Sequence, residues 1–187
     1  MKKIALAFLA AALSCAAMSQ TSDLASYVNP FIGTGGHGHT HPAAVVPHGM
    51  IQPGPDTRHH GWDACSGYYY EDKTINGFSQ TRLSGTGCAD LSDFLLMPFT
   101  GTADLAHVGE KGGKYRCPFA SEFSHQQESA TPGYYSVFLQ RYGIKTEITS
   151  TERTALYRFT YPEGKNAGMI LDLDYNNQNQ YMLEFDY

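Results

Sequence analysis

The residues with the clearest chemical potential surround Trp62, the only tryptophan in a chain of 187 residues. This tryptophan lies in a polar, Gly-rich stretch, beside Asp63 and the basic side chains Arg58, His59 and His60. An exposed aromatic ring packs against the C–H faces of sugar rings, while neighbouring carboxylates and imidazoles hydrogen-bond the hydroxyls. The sequence therefore predicts a ligand site at Trp62 and Asp63. The alternative is that Trp62 closes over the edge of the hydrophobic core.

Three histidines alternate upstream of this site, namely His37, His39 and His41. If the segment were a strand, the three imidazoles would share one face and could bind a metal ion. Glycines interrupt the segment, however, and argue against a strand. We therefore favour polar loop residues that line a cleft over a metal site.

The loop Gly33–Gly38 matches the dinucleotide-binding pattern G-x-G-x-x-G. That pattern binds a pyrophosphate only when a helix follows, because the helix N-terminus holds the phosphates. Residues 39–42, which follow here, contain two histidines and a proline and cannot begin such a helix. The glycines instead predict a tight turn at Gly35 and Gly36 whose backbone closely approaches another group.

Four aspartates in this half of the chain, Asp56, Asp63, Asp90 and Asp93, raise the question of a catalytic carboxylate pair. Glycoside hydrolysis needs two carboxyl groups at a defined separation, which a sequence does not give. We interpret these aspartates as solvated loop residues. The chain also lacks a nucleophile elbow and a P-loop, so we assign no catalytic residue.

Composition excludes several classes of protein. The formal net charge is −5, and a polyanion partner such as DNA or RNA requires a basic patch. Aromatic residues make up 13% of the chain and charged residues 17%, which argues against disorder. Such a composition is typical of a β-rich domain outside the cytoplasm.

The first 19 residues have the pattern of a secretory signal peptide. Lys2 and Lys3 precede the apolar run Ile4–Leu13, and small residues precede a cleavage point at Gln20. The run is too short for a membrane span of roughly 20 residues. We therefore expect an exported protein, periplasmic or on the cell surface. A lipoprotein signal with Cys15 as the acylated residue is the alternative.

Three further cysteines, Cys65, Cys88 and Cys117, would remain after cleavage. Export permits disulfides, but an odd number leaves at least one cysteine differently paired or free. No CxxC spacing occurs, which argues against a zinc knuckle. Either a bridge or buried small apolar side chains would fit these positions.

The rest of the sequence predicts strands of an antiparallel sheet. Tyr157, Phe159 and Tyr161 alternate with polar residues, which is the pattern of a half-buried strand. Further strands are predicted at Tyr68–Tyr70, Phe94–Phe99, Tyr134–Tyr142, Ile144–Thr151, Met169–Asp174 and Tyr181–Tyr187, with a hairpin tip at Gly143. No segment after the signal keeps a helical period for twelve residues. The sequence thus predicts an all-β sandwich with long Gly-rich loops, and its aromatic final strand predicts a fragment of a longer protein.

A series of short motifs resembles one known family. The motifs are Val28–Thr34, Val46–Met50, Gln52–Asp56, Ser66–Tyr68, Gly77–Ser79, Leu83–Cys88, Leu96–Pro98 and Pro132–Tyr135. In this order and spacing they resemble the N-terminal domain of glycoside hydrolase family 92, bacterial exo-acting α-mannosidases, from residue 27 to about 175. The chain departs from the family pattern at His48, Gln80 and Arg82, so the mannosidic linkage and the leaving-group sugar stay unspecified.

The resemblance implies a galactose-mutarotase-like supersandwich over residues 20–187, which in the family packs on an (α/α)6-barrel domain that this chain lacks. It also implies calcium-dependent hydrolysis of α-mannosidic bonds with inversion. The catalytic acid, the base and the calcium ligands belong to that barrel, so this chain would hold neither catalytic residues nor a metal. Trp62 is similar to the family's substrate-contacting tryptophan, and Asp63 with the Gly35–Gly36 turn would flank the mannose-containing glycan. A free-standing carbohydrate-binding module and a purely structural sandwich are the alternatives.

Overall fold

The computed structural model describes residues 23–58, 61–88, 90–105, 109–110 and 115–175. These residues form β1 Gly54–Asp56, β2 Thr74–Ile75, β3 Gly77–Ser79, β4 Leu95–Thr100, β5 Gly109–Glu110, β6 Tyr115–Arg116, β7 Ser121–Glu122, β8 Glu128–Thr131, β9 Tyr134–Leu139, β10 Ile144–Ser150, β11 Ala155–Thr160 and β12 Ala167–Asp172. Three short 3-10 helices lie at Leu24–Tyr27, Trp62–Ala64 and His125–Gln127. Within the described ranges, none of the helices has the length and apolarity to cross a bilayer.

Two four-stranded antiparallel sheets dominate the fold. One has the strand order β1-β3-β4-β12 and the other β11-β10-β9-β8, while β2-β7 and β5-β6 form small pairs. Buried side chains of both large sheets contribute to one hydrophobic core, among them Leu95 and Met97 of β4 and Val137 and Leu139 of β9. The prediction of an all-β antiparallel sandwich is confirmed.

The hairpin β9–β10 shows how the sequence pattern produces this sheet. Alternate residues of β9, namely Tyr135, Val137 and Leu139, are almost completely buried, and the residues between them are only partly covered. Period-two burial of this kind fixes the register, because a one-residue slip would turn the apolar set to water. Gly143 turns the chain with φ +67°, as its predicted position at the tip requires.

One predicted strand is wrong. Residues 68–70 form no strand, although three successive tyrosines have high β propensity. Their backbone instead bonds to loops: the N–H of Tyr69 donates to Thr57 Oγ1 at 2.8 Å, and the N–H of Tyr70 donates to the Thr34 carbonyl at 3.0 Å. The segment therefore ties two loops together rather than joining a sheet. The predicted signal peptide, His59, His60 and the strand Tyr181–Tyr187 lie outside the described residues.

A buried ion pair holds the base of the loops that follow β1. Arg82 Nη2 lies 3.2 Å from Asp56 Oδ2, and neither side chain is exposed. The same guanidinium also donates to the Ser79 hydroxyl and to the carbonyls of Gln52, Gly54, Pro55 and Ser66. Burial raises the pKa of Asp56, and the charge of Arg82 opposes that shift. The interpretation of Asp56 as a solvated loop residue is therefore wrong, because β1 carries it into the interior.

The departures from the family pattern also have structural roles. Arg82 is the buried anchor just described, and the Gln80 side chain accepts a hydrogen bond from the Tyr157 hydroxyl at 2.7 Å. That bond links the end of β3 to β11 in the opposite sheet. Both residues therefore act inside the sandwich.

Candidate functional site

Trp62 lies at the surface of the molecule. It is the first residue of the 3-10 helix Trp62–Ala64. Gly61 immediately precedes this helix and has φ +93°, a conformation that favours glycine. The tryptophan is 55% exposed. This exposure argues against the alternative that Trp62 covers the edge of the hydrophobic core, because more than half of the residue is accessible to water.

Asp63 and two histidines surround the indole; we call Trp62, Asp63, His37 and His39 the Trp62 cluster. The His39 ring meets the indole edge-to-face at 4.3 Å between centroids, and the His37 ring is tilted at 5.2 Å. Asp63 Oδ1 lies 2.6 Å from His37 Nδ1 and 3.4 Å from His39 Nε2. The hydrogen bond from His37 lowers the pKa of Asp63, so the carboxylate stays ionised and accepts that bond from the imidazole N–H.

The cluster rests on a second loop, the bend Gly85–Cys88. The N–H of Gly85 donates to the His39 carbonyl at 2.6 Å, and His39 itself has φ +55°. A Cβ atom at Gly87 would stand 3.2 Å from Trp62 Nε1 and 3.4 Å from His39 Nδ1. Glycine at position 87 thus lets the backbone pack against both rings. Residue types and spacing alone predict no role for this bend, although its residues belong to the motif Leu83–Cys88.

The Gly33–Gly38 loop is tight, as its glycines predict. A Cβ atom on Gly38 would clash with the backbone of Gly33, and no helix follows. At Gly35 a Cβ atom would meet Glu71 Oε1 at 2.9 Å, while Gly36 has φ +55° and open space around it. Gly35 therefore lies against Glu71, and the loop reaches Trp62 through His37.

His41 lies apart from the other two histidines of the alternating trio. Its Nε2 is 3.0 Å from Gln52 Oε1, and its Nδ1 accepts a hydrogen bond from the N–H of Ala43 at 3.3 Å. Burial lowers the pKa of His41 to about 3, and the charge of Arg82 acts in the same direction. The three imidazoles do not converge. Among the described residues, no group of three or more His, Cys, Asp or Glu side chains could hold a metal ion.

A separate groove of about 430 Å³ lies on β9, β10 and β11, lined in part by Tyr134, Leu156 and Arg158. Its carboxylate, Glu147, is already bound: Arg158 Nε and Nη2 and the Tyr134 hydroxyl each donate to it at 2.7 Å. These bonds, chiefly the one from Arg158, lower the pKa of Glu147 to about 2. A carboxylate held in this way is a poor general acid, so the Trp62 cluster is the better candidate site.

Chemically, the Trp62 cluster offers one open aromatic face and one carboxylate with two imidazoles. The aromatic face can stack on a ligand ring, and the carboxylate and imidazoles can hydrogen-bond ligand hydroxyls. Asp63 is the single carboxylate of the cluster, whereas glycoside hydrolysis requires two carboxyl groups, and the nearby sequence candidate Asp56 is buried. The cluster is therefore a candidate for binding, and no catalytic pair is assigned to it.

Comparison with known proteins gives a consistent result. The family model of the glycosyl hydrolase family 92 N-terminal domain matches residues 27–186. A fungal protein of Arthroderma benhamiae, described as an uncharacterized secreted glycosidase, is 30% identical over 173 residues, which are 86% of this chain and 21% of the relative.

Solved structures agree. A family 92 α-mannosidase of Bacteroides thetaiotaomicron is 45% identical, with a TM-score of 0.76 over 86% of this chain and 22% of that protein. A family 92 inverting mannosidase of the same species is 32% identical, with a TM-score of 0.67 over 82% and 20% of the two chains. The chain thus spans about a fifth of the length of these relatives. It belongs to glycosyl hydrolase family 92 and corresponds to the N-terminal domain of that family.

Proposed function

We propose that this chain is the N-terminal domain of an exported α-mannosidase that hydrolyses α-mannosidic bonds in glycans with inversion. The match to the family 92 N-terminal domain over residues 27–186 carries the proposal. The names of two similar structures, an α-mannosidase and an inverting mannosidase, support the reaction and its stereochemistry. The secreted fungal relative supports export.

Within that enzyme, the Trp62 cluster contributes one wall of the sugar pocket. The exposed indole packs against the C–H face of a mannose ring, and Asp63 accepts hydrogen bonds from its hydroxyls. His37 and His39 hold the carboxylate and the indole in place, which lowers the cost of ordering them when substrate binds. The acid and the base of the inverting reaction come from outside this chain.

The calcium ion of the proposed enzyme does not fit the described residues. Calcium takes six to eight oxygen ligands. The Trp62 cluster has a single carboxylate, one oxygen of which is bound by His37, and no group of three or more His, Cys, Asp or Glu side chains that could hold a metal occurs among the described residues. We therefore assign the calcium ligands to a part of the protein beyond these residues.

Proton NMR of the full-length protein acting on an aryl α-mannoside tests the reaction. Inversion predicts β-mannose as the first product, followed by mutarotation, whereas α-mannose as the first product would contradict it. Treatment with EDTA should abolish turnover and added calcium should restore it. Full activity in EDTA would contradict the calcium requirement.

The purified 187-residue chain should not hydrolyse the same substrate, with or without calcium. Measurable turnover by the chain alone would contradict the assignment of the acid and base to another domain. A free-standing carbohydrate-binding module is distinguished by the reading frame: an in-frame stop after Tyr187 would favour it, and several hundred further codons favour the enzyme.

A further inference from the structure

One cysteine, Cys65, lies on the loop that carries Trp62, and another, Cys88, lies on the bend Gly85–Cys88 on which the Trp62 cluster rests. Cys65 follows the 3-10 helix Trp62–Ala64, is 1% exposed, and donates its N–H to the Trp62 carbonyl at 3.3 Å. A backbone hydrogen bond from Gly87 reaches the Cys65 sulfur. Cys88 follows Gly87 in the chain, and consecutive Cα atoms are about 3.8 Å apart. It is exposed, and the two thiols are close enough to interact electrostatically.

The third cysteine of the described residues is engaged elsewhere. Cys117 Sγ donates a hydrogen bond to the Asn76 carbonyl at 3.3 Å, near the small sheet of β2 and β7. It is half-buried, and burial raises the pKa of its thiol. Cys65 and Cys88 are therefore the natural pair, and Cys117 is the odd cysteine.

We propose that Cys65 and Cys88 form a disulfide in an oxidising compartment and that this bond ties the Trp62 loop to the bend Gly85–Cys88. The three cysteines of the described residues are free thiols in the structure, so the bond would form from two thiols. The loops already meet through Gly87, which packs against Trp62 and bonds to the Cys65 sulfur, and Cys88 is its neighbour in the chain. The pairing goes beyond the proposed hydrolase function and does not depend on it.

The oxidation proceeds by thiol–disulfide exchange with an external disulfide, RSSR. The Cys88 thiolate attacks one sulfur of RSSR and expels RS⁻, which leaves a mixed disulfide on Cys88. The Cys65 thiolate then attacks the Cys88 sulfur and expels the second RS⁻. Two protein thiols are oxidised, one RSSR is reduced to two RSH, and the two thiol protons pass to the leaving groups.

Exposure sets the order of these steps. Cys88 is accessible to RSSR, whereas Cys65 is buried and burial raises the pKa of its thiol. Attack by an exposed thiolate is therefore the first step, and the buried thiol completes the bond from within. Once closed, the disulfide holds the two loops that contact the indole in one arrangement.

The test uses the chain incubated with oxidised glutathione at neutral pH, followed by non-reducing peptide mapping. We expect a Cys65–Cys88 cross-linked peptide as the main product and a loss of two titratable thiols. Fluorescence of the single tryptophan should fall as the bond closes, because a disulfide quenches a neighbouring indole. The oxidant is supplied in vitro, so the outcome is independent of where the parent enzyme resides.

Two variants make the result decisive. Cys117→Ser should give the same cross-link and the same fluorescence change. Cys88→Ser removes an exposed side chain, should fold, and should show neither. If Cys88 ends as a stable glutathione adduct while Cys65 still reacts with iodoacetamide after denaturation, the pairing is wrong. A cross-link that involves Cys117 would also overturn it.

Discussion

His41 gives the sharpest stability prediction of the fold. Its Nδ1 accepts the N–H of Ala43, so its single proton lies on Nε2 and is donated to Gln52 Oε1. A second proton would have to displace the Ala43 bond, in a half-buried site that the charge of Arg82 makes still less favourable for a cation. The native protein therefore keeps His41 neutral well below its ordinary titration range.

The magnitude follows from linkage between protonation and folding. The pKa of His41 is near 6.5 in the unfolded chain and about 3 in the folded one. A lowered folded pKa means that the stabilisation is complete above pH 6.5 and is lost as the pH falls toward 3. Between pH 7 and pH 5, His41 binds a proton in the unfolded chain but not in the native state. This difference lowers the free energy of unfolding by about 2 kcal/mol.

Urea unfolding at pH 7 and pH 5 measures this cost in the wild-type chain and in His41→Asn. Asparagine keeps an acceptor for Ala43 but does not titrate, so the variant should lose about 2 kcal/mol less between the two pH values. His48→Asn is the matched control, because His48 is exposed and its φ of +59° suits asparagine. It should follow the wild type. Equal pH dependence in the wild type and His41→Asn would refute the reasoning.

Three further predictions concern the loops and the sheet. Arg82→Met leaves Asp56 buried without its partner and should cost about 3–5 kcal/mol in urea unfolding at pH 7; a loss under about 1 kcal/mol would contradict the anchor. Glu147→Gln should flatten the fall in stability between pH 4.5 and pH 2, because the lowered pKa of Glu147 makes its ionised form stabilising above that window; parallel acid profiles would contradict this. Gly38→Ala should lower the melting temperature of the chain because its Cβ meets loop backbone, and an unchanged melting temperature would show that the loop is looser than described.

The regular half of the fold could be predicted because its information is local. Alternation along Ala155–Thr160 and the glycine at position 143 give strand and turn with no knowledge of distant residues. The same reasoning predicts a strand at residues 68–70, where the structure has none. Their tyrosines favour a strand, but hydrogen bonds from distant loops, to Thr34 and Thr57, decide their backbone.

The candidate site is likewise predictable in part. Trp62 stands out in sequence because a lone tryptophan in a polar loop lacks the apolar neighbours of a core residue, and the structure places it at the surface. Its contacts with His39 and Gly87 depend on three loops meeting, which spacing does not reveal. The burial of Asp56 against Arg82 likewise joins residues 26 positions apart. The role of Trp62 in binding substrate stays a prediction.

The kcat/KM of the full-length protein on an aryl α-mannoside, compared between wild type and Trp62→Ala, tests that role most directly. Covering about 60 Å² of the exposed indole contributes about 1.5 kcal/mol at ~25 cal/mol per Å². We therefore expect Trp62→Ala to lower kcat/KM by roughly ten-fold or more. Trp62→Phe, which keeps an aromatic face, should retain most of the activity. An unchanged kcat/KM in Trp62→Ala would place the tryptophan outside the sugar pocket and contradict the account.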